Sequence, residues 1–441
     1  MCNLNLFTIQ REYVLNPSIE HSFAAIHSYI GDMKQLVLTI LAVVATLLLP
    51  SLAGAETIVL KRGLPTDIWL TWPEGIDLDR LRFIEMFPEY RQKFKGGEFK
   101  LAREAGFDFI RLTIDPAIFI SSRRPEKTAT LLSGVRAAIE EILAAGLKVD
   151  VDMHSIPRTG NNPGTDQVLA SADAFEVYLN VVRDIAEVAS AFPADEVAFE
   201  PFNEPTIDCA YDLNGASPRW PAMLKRLHDV ARAAAPASTL VLSGACWGGS
   251  DGLTVLNPAD MNDDNIIWSF HTYDPFIFSH QGASWTTEVV GYVSGLSFPP
   301  VNGSKHKIMK AAEKRIRAAD LTAERKHALI NELHEYLDRY FERGAPMADA
   351  RAPFEKVSAW AGKNNIAPSR ILLGEFGAIR GDKFTPQTDK ARAPLIKLIR
   401  SEAEAKGFAW SCWSWSGSFG ISLTPESRDF SPVLLKALGL K

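Results

Sequence analysis

The chain predicts an α/β fold of the (β/α)8 barrel class, and three observations carry that prediction. Short β-rich apolar runs recur eight times, amphipathic or alanine-rich stretches lie between them, and glycines fall where the intervening helices have to end. Alternation of strand and helix implies parallel strands joined by helical crossovers, and eight repeats close naturally into a barrel. A doubly wound open sheet is the competing architecture. The length of 441 residues is compatible with one catalytic-size barrel, because such barrels pass ~250 residues as a single domain.

In chain order, the eight runs are Thr57–Lys61, Phe107–Thr113, Lys148–Met153, Val197–Phe202, Thr239–Ser243, Ile266–His271, Ile371–Gly374 and Phe408–Trp413. Helical patterns cover Leu131–Ala145, Ala172–Ala189, Pro221–Ala235 and Thr388–Ala405. Gly106, Gly146 and Gly407 follow helical stretches, at positions where a C-terminal residue with positive φ suits glycine. Two segments read as additions to a minimal barrel. Pro73–Phe99 mixes charge with aromatics, and Asn302–Phe341 reads as two charged helices late in the barrel, Lys307–Ala319 and Ala323–Phe341. No Ser/Thr/Pro-rich linker, internal repeat or separate aromatic β-module is present.

The N-terminal region divides off as residues 1–55. Met33-Lys34, the apolar run Leu36–Leu49, Pro50 and Ala53-Gly54-Ala55 read as a secretory signal peptide over residues 33–55, cleaved after Ala55. The run is short for a spanning helix, and the mixed polar stretch before it suggests that translation starts at Met33. The barrel is then residues 56–441, secreted or periplasmic, with no stable membrane partner after cleavage. A net charge of −6 without a Lys/Arg patch offers nothing to draw the protein to nucleic acid. Cys209, Cys246 and Cys412 remain beyond the signal, too few for a disulfide-built scaffold. If a bridge forms, Cys209–Cys246 is the pair, because both follow strands on the same rim; three free thiols is the other reading.

Chemistry in such barrels is built from the C-terminal strand ends and the loops after them. There this sequence puts Arg111 ending the second strand, His154 the third, Asn203 and Glu204 the fourth, His271 and Tyr273 the sixth, Glu375 the seventh and Trp413 the eighth. Taken singly, each has a bland explanation: a solvated glutamate, a satisfied core histidine, a packing tryptophan. Six strands delivering such residues to one rim do not. Glu204 and Glu375 would face each other across the mouth, as chemistry requires when one carboxyl protonates a leaving oxygen while the other attacks carbon. Glu200 shares Glu204's face but lies lower on its strand, where it reads as a structural partner for an interior Arg or His. Trp410, Trp415 and Trp268 read as packing. Trp69, Trp72, Trp247 and Trp285 are candidate outer sugar platforms. No cluster has metal-ligand spacing, no dinucleotide fingerprint follows a strand and no serine occupies a nucleophile elbow, so no metal or cofactor is implied.

The segment Phe199-Glu200-Pro201-Phe202-Asn203-Glu204-Pro205 resembles the signature of glycoside hydrolase family 5, the cellulase family. Phe107-Asp108-Phe109-Ile110-Arg111-Leu112, Asp152-Met153-His154, His271-Thr272-Tyr273, Gly374-Glu375-Phe376-Gly377 and Trp410-Ser411-Cys412-Trp413 resemble its other motifs in the same order, across Gly63–Leu423. The resemblance implies Glu204 as acid/base and Glu375 as nucleophile, with retention of configuration. It implies Arg111 beside Glu375, Asn203 on the sugar 2-hydroxyl and His154 on a neighbouring hydroxyl. Tyr273 is then expected to donate to Glu375, His271 to orient Glu204 or bind sugar, and Trp413 to stack under the reacting ring. The implied partner is a β-linked oligo- or polysaccharide, foremost β-1,4-glucan. β-Mannan, β-1,3-glucan, transglycosylation of the producer's own exopolysaccharide and a non-catalytic glycan-binding barrel are the alternatives. N-terminal sequencing of exported protein is expected to begin at Glu56; a first residue upstream of Met33 would refute both the start and the signal reading.

Overall fold

Eight parallel strands close on themselves in sequence order: β1 (Arg62–Pro65), β2 (Phe109–Ile114), β3 (Lys148–Met153), β4 (Val197–Glu200), β5 (Thr239–Ser243), β6 (Ile266–His271), β7 (Ile371–Phe376) and β8 (Ala409–Cys412). The closed order excludes the open doubly wound sheet. This computed structural model describes residues 57–67, 97–121, 125–156, 164–210, 213–301, 304–381 and 387–441. The signal segment 33–55, Trp69 and Trp72 lie outside the described residues.

The longer helices are α1 (Glu98–Ala105), α2 (Pro125–Ala144), α3 (Ala172–Ser190), α4 (Trp220–Ala234), α5 (Lys305–Ala318), α6 (Ala323–Phe341), α7 (Ala345–Lys363) and α8 (Asp389–Lys406). No helix among the described residues is long and apolar enough to cross a membrane. Gly106, Gly146 and Gly407 take φ of 107°, 78° and 77° where helices end, as their positions predicted. Helices α5 and α6 are the expected late insertion, and they do not stand apart from the barrel core. Each buries one stripe, Ile308, Ala312 and Ile316 on α5 and Leu329, Leu333 and Leu337 on α6, in the main hydrophobic cluster. Helix α7 was not expected. Pro346 and Pro353 break the usual helical signature, yet Pro346 is in the first turn and the helix buries Phe354, Val357 and Trp360.

Strand β1 also departs from expectation. The run Thr57–Lys61 is not the first strand; it lies before it, and its Ile58 and Leu60 side chains plug the barrel's lower end. They join Phe109, Ala198, Val241, Ile267, Leu372 and Ala409 in one inward apolar layer. The actual strand is the less apolar Arg62–Pro65, paired with both β2 and β8. Its Gly63 is required by space: a Cβ there would come within 2.2 Å of the Phe109 ring, which fills the interior beside it.

Above this apolar layer the inward positions turn polar while the outward ones stay hydrophobic. On β2 the outward residues are Ile110, Leu112 and Ile114, and on β3 Val151 and Met153, leaving Arg111, Asp150 and Asp152 to face the interior. Arg111 is therefore not at a strand end as the sequence suggested: it is the third of six residues in β2, and its long side chain reaches upward to the rim.

Gly63→Ala is expected to lower stability by about 1–3 kcal/mol, the range for overpacked cores. Gly362→Ala, at a helical position with open space around it, should instead raise it by ~0.5–1 kcal/mol. Thermal unfolding of both variants checks the pair; equal effects would contradict the packing described for Phe109.

Candidate active site

Strands β2, β3, β4, β6 and β7 deliver one continuous hydrogen-bonded cluster. At its centre is the fully buried Arg111. Its Nε and Nη2 donate to Glu200 Oε2 and Oε1 at 2.8 and 3.0 Å, and its Nη1 donates to Glu375 Oε1 at 2.7 Å. Nη2 also donates to Asn203 Oδ1 at 2.7 Å and lies 3.1 Å from Asp152 Oδ2. The fixed planar fork of arginine presents five N–H donors, against the three of a lysine ammonium, and so can address this many acceptors from one centre. With Oδ1 committed to Arg111, the Asn203 amide keeps its Nδ2 as a donor.

Glu375 reaches this cluster through an irregularity. Leu372 belongs to the inward layer and Leu373 to the outer cluster, so strict alternation would turn Glu375 outward. The register between β6 and β7 shifts, pairing Phe270 with Leu373 but His271 with Glu375, so Gly374 is the extra residue of a bulge. A Cβ on Gly374 would lie 2.5 Å from Ser269 Oγ and 2.8 Å from His271 Nε2. Glycine thus permits both the bulge and the close approach of His271. Tyr273 Oη donates to Glu375 Oε2 at 2.9 Å, so both oxygens of Glu375 accept hydrogen bonds.

His271 Nδ1 lies 2.7 Å from Glu204 Oε1 and 3.8 Å from Glu375 Oε2. Its Nε2 is buried without a hydrogen-bond partner. A buried unpartnered N–H is rarer than an unpartnered acceptor, so the ring proton is assigned to Nδ1, donating to Glu204. Burial lowers the His271 pKa to about 4, keeping the imidazole neutral. Burial also raises Glu204 to about 7, an effect that His154 and Arg111 oppose and that Asp152 and Glu200 reinforce. Desolvation is the first cause of this shift. Burial holds the Tyr273 hydroxyl well above its usual range, with Glu375 adding to the effect, so it remains a donor.

His154 Nδ1 pairs with Asp152 Oδ2 at 2.7 Å, leaving Nε2 as its second polar atom, and its ring lies parallel to Trp413 (5.0 Å between centroids, 8° between planes). The rim residues Arg111, His154, Asn203, Glu204, His271, Tyr273, Glu375 and Trp413 are thus brought together. Trp247 and Trp285 sit on loops after β5 and β6, 45% and 63% exposed. Trp268, Trp410 and Trp415 are buried, and Glu200 is the interior partner of Arg111. Cys209 and Cys246 are disulfide-bonded, and Cys412 is free and buried. Sequence reasoning gave no role to Asp150, which pairs in register with Arg111 and whose carboxyl shares a hydrogen bond with Glu200. Burial, and then the Glu200 charge, push it well above the carboxylate range. The alternation Val149-Asp150-Val151-Asp152 was the available signal. Among the described residues, Glu204, His271 and Glu375 also form a group whose ligand atoms converge within 4.8 Å, close enough to hold a cation.

The fold and this rim define a (β/α)8 barrel with a paired-carboxylate site. Residues 89–295 match the family model described as cellulase, glycosyl hydrolase family 5, so the resemblance read from the motifs stands over that stretch. Endoglucanase 3 of Fibrobacter succinogenes is 23% identical over 363 residues, 79% of this chain and 50% of that protein. Endoglucanase C of Acetivibrio thermocellus is 27% identical over 198 residues, 44% of this chain and 55% of that protein. This chain spans about half the length of these curated relatives. The solved endoglucanase Cel5A from Thermotoga maritima superposes with a TM-score of 0.58 at 22% identity, covering 86% of this chain and 96% of that one; at that identity the likeness is one of fold.

Glu204→Gln tests the burial of Glu204. A folded value near 7 against the ordinary 4.5 means that the native protein binds this proton more tightly than the unfolded chain, so the wild type loses stability as pH rises from 4.5 to 7. The melting-temperature gain of Glu204→Gln over wild type should be near zero below pH 4.5, grow through that window and level off above 7. A gain that shrinks with rising pH would contradict the burial.

Proposed function

We propose that this chain is a retaining β-glycoside hydrolase acting on β-1,4-linked glucan by double displacement, with Glu204 as proton donor and Glu375 as nucleophile. One observation carries the reading. A carboxylate oxygen of Glu204 and one of Glu375 lie within 4.8 Å of each other, which suits the separation of about 5–5.5 Å in retaining enzymes and not the ~6.5–9.5 Å that admits an inverting water. The names of the endoglucanase relatives support the substrate class.

In the first step a Glu375 oxygen attacks the anomeric carbon, the glycosidic C–O bond breaks, and the leaving oxygen takes the proton of Glu204. In the second, water attacks the same carbon, Glu204 takes its proton, and the bond to Glu375 breaks. Arg111 and Tyr273 hold the nucleophile by both oxygens. His271 fixes one oxygen of Glu204 and leaves Oε2 to carry the transferred proton. The free Asn203 Nδ2 suits a sugar 2-hydroxyl, a contact that strengthens as positive charge develops on the ring. His154 Nε2 suits a neighbouring hydroxyl. The Trp413 indole offers a flat apolar face to the reacting pyranose, and Trp247 and Trp285 extend the cleft. The 33–55 segment supports a secreted or periplasmic location.

Glu375→Ala and Glu204→Ala should each lower release of an aryl β-glucoside's leaving group, or the subsequent deglycosylation, by roughly 10³-fold or more. Azide should partly restore the Glu375 variant with inverted product. Retained activity in either variant refutes the assignment, and product analysis over cellulose, mannan, xyloglucan and laminarin checks the glycan.

A further inference from the structure

One buried histidine takes no part in the chemistry above. His280 follows the short helix Phe276–Ser279 on the loop after β6 and is 7% exposed. Aromatic rings enclose it: it stacks on Phe276 at 4.1 Å between centroids and 18° between planes, meets Tyr273 edge to face at 4.9 Å and 72°, and lies 5.0 Å from Phe419. A phenylalanine would satisfy such surroundings by packing alone. The choice of an imidazole is explained by what its nitrogen does.

His280 Nδ1 lies 3.0 Å from Ser279 Oγ. The serine hydroxyl has one proton and directs it at a backbone carbonyl, that of Tyr273 or, at 3.2 Å, that of Phe276. Carbonyls cannot donate, so Oγ receives its proton from His280, and the ring is the tautomer with its hydrogen on Nδ1 and a bare Nε2. Burial lowers the His280 pKa to about 3, which keeps the ring neutral. The result is a short run of donors, His280 Nδ1–H to Ser279 Oγ–H to the Tyr273 carbonyl. It ends on the residue whose phenol donates to Glu375 Oε2 at 2.9 Å. Ser279 also ties this loop to the segment after Glu375, because the Ile379 N–H donates to its carbonyl at 2.8 Å. Ala283, Ile379 and Phe419 then form one apolar cluster against which Tyr273 packs.

We propose that His280 is a positioning residue for the reaction, setting the backbone and ring of Tyr273 so that its hydroxyl stays on Glu375. Two contacts do this. The Nδ1–H holds the Ser279 hydroxyl on the Tyr273 carbonyl, and the imidazole packs against the phenol ring. This role rests on the hydrolase reading above and adds to it a residue that touches neither substrate nor reacting atoms. Its effect is on turnover: without the brace, Tyr273 Oη leaves Glu375 Oε2, and the nucleophile loses one of the donors that fix its line of attack. Asn203 and His154, which suit the sugar hydroxyls, keep their own partners.

The test measures kcat and KM on an aryl β-glucoside for wild type, Tyr273→Phe, His280→Ala and the double variant. His280→Ala should lower kcat about tenfold while KM stays within about twofold. In the Tyr273→Phe background it should lower kcat no further, because two groups acting through one hydroxyl are not additive. Additive losses overturn the role, as does a Tyr273→Phe variant with wild-type kcat, which would leave nothing to position. If His280→Ala fails to fold, His280→Phe fills the space without the donor and the same cycle decides; wild-type kcat in that variant overturns the brace. Nitrogen NMR of isotope-labelled histidine reads the hydrogen bond apart from catalysis. A protonated Nδ1 and bare Nε2 are expected for the resonance that His280→Phe removes, and the opposite tautomer overturns the link to Ser279. A folded wild type with the expected tautomer that hydrolyses no β-glycoside sinks the hydrolase reading and, with it, the catalytic purpose of the brace.

Discussion

The guanidinium of Arg111, without exposed surface in the barrel interior, contacts Glu200, Glu375, Asp152 and Asn203 from three different sequence segments. A buried cation is tolerated only when paired, and a buried carboxylate only under the same condition, so these groups hold one another in place. Removing the cation would strand several carboxylates in a dry interior. The surplus of negative charge is relieved by protons, because burial lifts Asp150 well above the carboxylate range and raises Asp152 to about 7. Position and protonation of the rim are therefore set from below, by the middle layer of the barrel.

Around Glu204 the design differs. Among the described residues no arginine is hydrogen-bonded to it; its described hydrogen bond is to a neutral imidazole, and burial dominates its titration. Two glutamates a few ångströms apart thus occupy contrasting surroundings, one doubly hydrogen-bonded beside a cation and one desolvated beside a neutral ring. Environments of that kind divide acid from nucleophile in a carboxylate pair. The His271 ring that sustains the difference is seated against Gly374, where a Cβ would come within 2.8 Å of its Nε2.

Most of the barrel was legible because its signals are local. The runs at β3, β5 and β6 match the strands residue for residue, and α6 matches its charged helical pattern. The failures have equally local causes. Thr57–Lys61 is apolar and β-rich like a strand, yet nothing in it says that Ile58 and Leu60 fill the barrel floor while the plainer Arg62–Pro65 takes the pairing. In α7, proline content argued against a helix whose stability comes from packing Phe354 and Trp360 against the rest of the fold.

The sequence by itself determined which residues reach the rim, since strand ends and loop starts are fixed by chain order, and this placed both glutamates, the histidines and Tyr273. It also placed Trp247, and offered Cys209–Cys246 as one of two readings. Only the tertiary structure decided which way Glu375 points, because the bulge at Gly374 reverses strand parity and appears only when β6 and β7 are paired. Likewise, the pairing of Arg111 with three carboxylates and the protonation of Glu204 depend on burial and on distances between residues up to 264 positions apart. Such quantities arise from the closed barrel and have no local counterpart in the chain.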